Sequence, residues 1–91
     1  MILVILDENH IAAPDTPQPA GILSVSATNA GREPHTMACD PPRAELDAGP
    51  PMPTGHLRRM DVDLRPGRYV LYCPLPGHRQ RGEWAPLVVQ P

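Results

Sequence analysis

The most informative segment of this chain is Tyr69-Val70-Leu71-Tyr72-Cys73-Pro74-Leu75-Pro76-Gly77-His78-Arg79-Gln80-Arg81-Gly82-Glu83. Its first residues are aliphatic and aromatic, which favours a β-strand that ends at the thiol of Cys73. A loop rich in Pro and Gly follows and presents an imidazole at His78, and the carboxylate of Glu83 comes after a second interval of the same length. A thiol can bind a metal ion as the thiolate, and a rigid loop would hold it in position beforehand.

A second imidazole precedes this segment in Pro34-His35-Thr36, at the end of another apparent strand. Two His and one Cys form the trigonal donor set that suits copper, usually with a weak fourth ligand on the axis. Glu83 has the spacing expected of that fourth ligand. The sequence therefore predicts a metal site formed by His35, Cys73, His78 and Glu83.

The order of these motifs resembles that of the cupredoxin family, the small blue-copper electron carriers. The resemblance covers most of the chain and rests on Asn29-Ala30-Gly31, Glu33-Pro34-His35-Thr36, Leu64-Arg65-Pro66-Gly67-Arg68-Tyr69, the Cys73-x4-His78-x4-Glu83 loop and the apolar run from Trp84 to Val89. It implies that His35, Cys73 and His78 bind one copper ion in a plane. Glu83 stands where the family commonly has an axial Met, and here the chain departs from the pattern.

The composition predicts one small all-β domain that spans residues 1–91. Fourteen Pro among 91 residues disfavour long helices, because a Pro inside a helix costs about 3 kcal/mol. Short apolar runs between Pro and Gly turns are typical of a β-sandwich, and the resemblance implies the cupredoxin-like Greek-key form. Phe is absent, so we expect an aliphatic core around Trp84, Tyr69 and Tyr72.

The alternation of apolar and polar residues predicts the individual strands. We expect a buried first strand over residues 2–6, continued by residues 8–13 after a bend. Residues 40–56 contain five Pro and are expected to form an irregular loop. Further strands are predicted over Ile22–Asn29, His35–Cys39, Leu57–Leu64, Arg68–Cys73 and Trp84–Gln90.

Four residue types leave alternatives open. Cys39 is interpreted as a core residue, but a disulfide with Cys73 would abolish the site. Glu83 either binds the metal or is solvated, and an anionic oxygen ligand would make Zn(II), Co(II) or Ni(II) acceptable in place of copper. Three methionines are further candidates for the axial ligand, namely Met37, Met52 and Met60. Two further histidines, His10 and His56, are interpreted as surface residues.

The chain's charge and its apolar runs limit its partners and location. A formal net charge of −2 gives no indication of nucleic-acid binding. No apolar run approaches the ~20 residues of a membrane span, and the first residues lack the basic region of a signal peptide. Because cupredoxins usually work outside the cytoplasm, we expect a periplasmic or extracytoplasmic monomer whose leader is missing, with a cytoplasmic location left open.

The expected function is one-electron transfer through a mononuclear copper site. His78 is the expected exit path to a redox partner, which would dock on an apolar rim formed by Pro74, Leu75 and Pro76. The sequence offers no nucleophile–base pair, so we do not expect an enzyme. Two other classes stay open, namely a metal-binding or copper-handling module without redox cycling, and a metal-free accessory domain of a larger complex.

Overall fold

Two β-sheets form the framework of the protein. The structure, a computed structural model, describes residues 1–91 apart from the side chain of Ala44. In this part of the chain the strands are β1 (Ile2–Asp7), β2 (His10–Ala12), β3 (Gln18–Pro19), β4 (Gly21–Asn29), β5 (Ala38–Asp40), β6 (Leu57–Leu64), β7 (Gly67–Tyr72) and β8 (Trp84–Gln90), and a 3₁₀ turn covers Ala44–Leu46. The predicted all-β class and its cupredoxin-like Greek-key sandwich are confirmed.

The strand order is β2-β1-β4-β6 in one sheet and β3-β8-β7-β5 in the other. Most neighbours are antiparallel, but β1 runs parallel to β4, with Leu6 opposite Asn29. Because parallel strands end at the same edge of a sheet, the residues after β1 and after β4 lie together. This edge borders the predicted metal site.

Period-two alternation places the core between the sheets. In β8 the buried residues are Ala85, Leu87 and Val89, and their partners on the same face of β7 are Leu71 opposite Ala85 and Tyr69 opposite Leu87. Burial of such side chains removes apolar surface from water and stabilises the fold by roughly 25 cal/mol per Å². The hydroxyl of Tyr69 donates a 2.9 Å hydrogen bond to the carbonyl of Arg65, so this large residue is buried without an unpaired polar atom.

Two expectations about the core were wrong. Strand β1 is not buried on both faces, because Leu3 is 60% exposed and Ile5 is 38% exposed while Val4 and Leu6 are fully buried. The expected aromatic centre of the core is also wrong for two of its three residues, since Trp84 is 50% exposed and Tyr72 is only half-buried. Trp84 begins β8 and lies opposite Tyr72, and the alternation of both strands turns this pair toward the outer face of their sheet.

The predicted positions of the long strands are confirmed. Ile22–Asn29, Leu57–Leu64, Arg68–Cys73 and Trp84–Gln90 correspond to β4, β6, β7 and β8 within one residue at each end. The predicted strand over His35–Cys39 is shorter, since His35 forms only an isolated bridge with Met52 before β5 begins at Ala38. Within the described residues we find no helix with the length and apolar character that crossing a membrane requires.

Candidate metal centre

The loop between β7 and β8 positions three of the four predicted ligands. Cys73 follows the last residue of β7, and Glu83 precedes the first residue of β8. The backbone N–H of Cys73 donates to the carbonyl of Glu83 at 3.2 Å, which closes the loop at its base. The N–H of Glu83 donates to the carbonyl of His78 at 3.1 Å, so the backbone of His78 in the middle of the loop is bound to the end of the loop.

A buried asparagine holds the segment that contains the fourth residue, His35. The side-chain amide of Asn29 donates to the carbonyls of Glu33 at 2.9 Å and Met52 at 2.8 Å, and its oxygen accepts a bond from Gly31 N–H at 2.8 Å. His35 and Met52 exchange two backbone hydrogen bonds, at 3.2 and 2.7 Å. These bonds join the end of β4 to the loop before β6 and fix the backbone of His35 between them.

The structure brings His35, Cys73, His78 and Glu83 together, with one candidate ligand atom from each within 4.8 Å of all the others. The Nδ1 atom of His35 lies 2.9 Å from one carboxylate oxygen of Glu83, and the Nδ1 atom of His78 lies 3.0 Å from the other. The Cys73 sulfur is 3.5 Å from His78 Nδ1. Both imidazoles therefore present Nδ1 to a common centre.

Several polar atoms at this centre lack a hydrogen-bond partner. Among the described side chains, both ring nitrogens of His35 and the Oε2 atom of Glu83 are buried and unpaired. The 2.9 Å contact between His35 Nδ1 and Glu83 Oε2 is short enough for a hydrogen bond but lacks its geometry. An unpaired buried polar atom costs about 1–3 kcal/mol. A cation between these atoms would supply the missing partner, so the donor set fits a metal ion.

Burial also sets the protonation of the two acidic groups. It raises the pKa of the Cys73 thiol, an effect that the backbone amides of Thr36 and Leu75 partly oppose and the Glu83 carboxylate reinforces. Burial likewise raises the pKa of Glu83, while His35 and His78 act in the opposite direction. In the absence of a cation both groups are therefore biased toward their neutral forms, and metal binding would release protons from them.

The other candidates occupy core or surface positions. Cys39 is buried with 3% of its surface exposed, is not in a disulfide, and directs its thiol to the carbonyl of Pro41 at 3.1 Å. Met37 and Met52 both belong to the apolar core. Met52 lies in the irregular stretch where it was expected, between the 3₁₀ turn and β6, and is fully buried there. His10 and His56 are exposed.

Sequence reasoning missed two carboxylates on the outer side of the imidazoles. Glu8 lies 3.9 Å from Nε2 of His35, and Glu33 lies 3.6 Å from Nε2 of His78. Arg81 forms a 2.6 Å ion pair with Glu33. The signal for Glu8 was topological, since only the parallel pairing of β1 with β4 places the residue after β1 beside the turn after β4.

Among the four candidate ligands, His78 is the one that solvent reaches. His35, Cys73 and Glu83 are fully buried, whereas 11% of the His78 side chain is exposed. Pro74 and Pro76 beside it are exposed and Leu75 is half-buried. The guanidinium of Arg79 stacks over the ring of Tyr72, 4.4 Å from its centroid. The face that this site presents to solvent therefore combines this apolar rim with the His78 imidazole and, beside it, the Glu33–Arg81 ion pair.

Comparisons with known proteins define the fold. No protein-family model and no curated protein sequence matches the chain. Solved structures do match. Auracyanin from Roseiflexus castenholzii shares 16% identity over 98% of this chain and 95% of its own, with a TM-score of 0.72. A purple cupredoxin from Nitrosopumilus maritimus shares 19% identity over 99% of this chain and all of its own, with a TM-score of 0.70.

Larger enzymes contain the same fold. A blue copper oxidase from Nitrosomonas europaea aligns with 98% of this chain at 16% identity and a TM-score of 0.73, but the alignment covers only 38% of the oxidase. The predicted resemblance to cupredoxins is confirmed at the level of the fold. At these identities the comparisons establish the architecture alone.

Proposed function

We propose that this chain is a mononuclear copper protein that transfers single electrons. The observation on which this rests is the convergence of one thiol, two imidazole Nδ1 atoms and one carboxylate within 4.8 Å of one another. His35, Cys73 and His78 supply the trigonal nitrogen–sulfur set that suits copper, and Glu83 supplies a fourth, oxygen ligand. Copper, when bound, provides a one-electron couple between Cu(I) and Cu(II).

The protein contributes rigidity and shielding to this couple. The closed base of the β7–β8 loop and the Asn29 hydrogen bonds hold the ligand atoms before metal binding. Three of the four ligands are inaccessible to water, so electrons leave through His78, whose imidazole edge reaches the surface. A redox partner would dock on the apolar rim of Pro74, Leu75 and Pro76 around it.

The chain acts as a carrier and not as an enzyme in this proposal. Auracyanin and the purple cupredoxin match this chain over nearly their whole length, which supports a single domain of residues 1–91. In this proposal the domain works as a monomer. The oxidase contains more than twice the aligned length. The extracytoplasmic location expected from the resemblance belongs to the same proposal.

A reversible redox titration tests the proposal. The copper-loaded protein should lose its thiolate-to-Cu(II) absorption on addition of one electron equivalent and regain it on reoxidation, through several cycles. Irreversible bleaching, or copper that cannot be reduced without leaving the protein, would contradict an electron carrier. Steady oxygen consumption with a reducing substrate would contradict the assignment as a non-enzyme.

A second candidate function is a metal-binding module without redox cycling, and Glu83 is the observation that favours it. A carboxylate is a harder donor than the thioether common at this place, and a set of Cys, His and carboxylate ligands also suits Zn(II). Metal analysis of the protein as isolated from its natural source separates the two functions. Stoichiometric zinc would select the module, and stoichiometric copper would select the carrier.

A further inference from the structure

The outer nitrogen of His35 has an unusual environment. An imidazole that gives Nδ1 to a metal must carry its proton on Nε2 if it remains neutral. Nε2 of His35 is fully buried and has no hydrogen-bond partner. Metal-bound histidines normally donate this N–H to a carboxylate, a carbonyl or water, which fixes the ring and raises its basicity.

The Glu8 carboxylate is held in place beside this nitrogen. Its Oε1 atom accepts hydrogen bonds from the backbone N–H groups of Arg32 and of Glu33, the latter at 2.9 Å, and lies 3.9 Å from His35 Nε2. These hydrogen bonds, that of Arg32 above all, lower the pKa of Glu8 and keep it ionised. The carboxylate is therefore an anionic acceptor fixed by the turn that leads to His35.

Gly31 makes this approach sterically feasible. A Cβ atom on Gly31 would lie 2.8 Å from both carboxylate oxygens of Glu8 and 2.8 Å from Nε2 of His35. Any side chain at this position would therefore separate the two groups. The absence of a side chain leaves the space that lets the carboxylate and the imidazole face each other.

We propose that Glu8 is a positioning residue of the metal centre, which accepts the Nε2–H of His35 when Nδ1 binds the metal. The Glu8 side chain is 31% exposed, which leaves room for the small adjustment that brings its carboxylate from 3.9 Å to within hydrogen-bond distance of Nε2. An anionic acceptor makes the imidazole a better electron donor, which favours Cu(II) over Cu(I). This inference rests on the proposed copper site and adds to it a residue outside the ligand set.

The test compares the reduction potentials of wild type, Glu8→Gln and the control Asp7→Asn. Glu8→Gln should weaken Cu(II) binding about tenfold relative to Cu(I), the lower end for loss of an outer-sphere partner. That ratio corresponds to a potential about 59 mV higher. Asp7→Asn removes the same charge one residue away, where the carboxylate accepts the N–H of Asn9 and does not face His35. The control should leave the potential close to that of wild type.

Gly31→Ala provides an independent variant should Glu8→Gln fold poorly, as judged by circular dichroism. The added methyl group displaces the partly exposed Glu8 carboxylate more readily than the fully buried ring, so Gly31→Ala should raise the potential in the wild-type background. In the Glu8→Gln background it should have much less effect, because coupled residues are not additive. Equal shifts in both backgrounds would overturn the proposal.

The outcomes separate this inference from the proposed function. Wild type without a thiolate-to-Cu(II) band would refute the copper site itself. A normal band in all variants, with Glu8→Gln and Asp7→Asn shifting the potential equally, would refute only the role of Glu8. A potential that rises in Glu8→Gln alone, with the band retained, is the result that we expect.

Discussion

At the scale of single residues, Glu83 is the side chain that most distinguishes this centre from one with a thioether ligand. Its carboxylate is fully buried and lies within 3.0 Å of both imidazoles. With Cys73 and Glu83 both ionised, a Cu(II) site has zero net charge and a Cu(I) site has a charge of −1. Burial strengthens the effect of this extra negative charge, because Coulomb interactions grow as the effective dielectric falls.

Replacement of Glu83 by Met should therefore raise the reduction potential. The site would then carry +1 as Cu(II) and zero as Cu(I), so that reduction no longer creates a buried negative charge. We expect an increase of about 60 mV or more, which is a tenfold change in relative affinity for a one-electron couple. Glu45→Met, which removes an exposed glutamate on the 3₁₀ turn, is the matched control. An unchanged colour and potential in Glu83→Met would mean that Glu83 is not a ligand.

Cys39 gives a pH prediction that does not depend on metal. Burial raises its pKa above the ordinary value of 9.0. The folded state then holds a proton that the unfolded state has lost, so stability is full below pH 9.0 and decreases as pH rises through the folded pKa. The free energy of unfolding decreases by at most about 1.4 kcal/mol per pH unit.

Two metal-free proteins isolate this effect. One is the Cys73→Ser variant, and the other carries both Cys73→Ser and Cys39→Ala. Urea unfolding between pH 8 and 11 should show a steeper loss of stability with pH when Cys39 is present. Tyr and Arg titrations are common to both proteins and cancel. Parallel stability curves would show that the Cys39 pKa does not change on folding.

At the scale of elements, the β7–β8 loop depends on two glycines with positive φ. Gly77 has φ of +80° and open space where a Cβ would be, whereas Gly82 has φ of +107° and a Cβ there would lie 2.9 Å from the carbonyl oxygen of Asn9. The first position tolerates a methyl group at the cost of backbone strain alone. The second would also push the segment before Glu83 away from the turn between β1 and β2.

Gly82→Ala should therefore be more damaging than Gly77→Ala. We expect Gly77→Ala to cost about 1–2 kcal/mol of stability and to leave the copper spectrum unchanged. Gly82→Ala should cost more and should also shift the spectrum, because Glu83 is its direct neighbour. Thermal unfolding and visible absorption of the two variants measure this difference. Equal effects on both properties would contradict the described packing of Gly82 on Asn9.

Periodicity in the sequence predicted the strands well where one face of the strand is apolar and the other is polar. Strand β6 follows this rule, because the inward residues Met60, Val62 and Leu64 alternate with exposed charged residues. The ligand set of the β7–β8 loop came from its Cys-x4-His-x4-Glu spacing and the family resemblance. Alternation failed for β1, since its residues are apolar on both faces and the sequence does not say which face is covered. Glu8 could not be predicted at all, because its approach to His35 depends on the pairing of distant strands.

At the scale of the whole molecule, the candidate metal centre joins two separate connections of the chain. His35 belongs to the connection between the sheets, while Cys73, His78 and Glu83 belong to the β7–β8 loop. The unpaired polar atoms at their meeting point destabilise the metal-free protein. A metal ion that binds only the folded state would offset this loss of stability by mass action.

Copper should therefore raise the melting temperature. Free copper at a hundred times its Kd adds about 2.7 kcal/mol to stability, and each kcal/mol raises Tm by about 4–8 °C for a chain of this size. Calorimetry of the metal-free and the copper-loaded protein measures the shift, with Cys73→Ser as the control that should show little of it. The same Tm with and without saturating copper would argue against a preformed site.

The central claim is that Cys73 is the thiolate ligand of one copper ion, and a visible titration with Cu(II) tests it most directly. We predict an intense thiolate-to-Cu(II) charge-transfer band that grows linearly and saturates at one equivalent. Cys73→Ser should abolish this band, and Cys39→Ser should leave it intact. A wild-type protein without the band, or a band that survives Cys73→Ser and disappears in Cys39→Ser, would contradict the assignment.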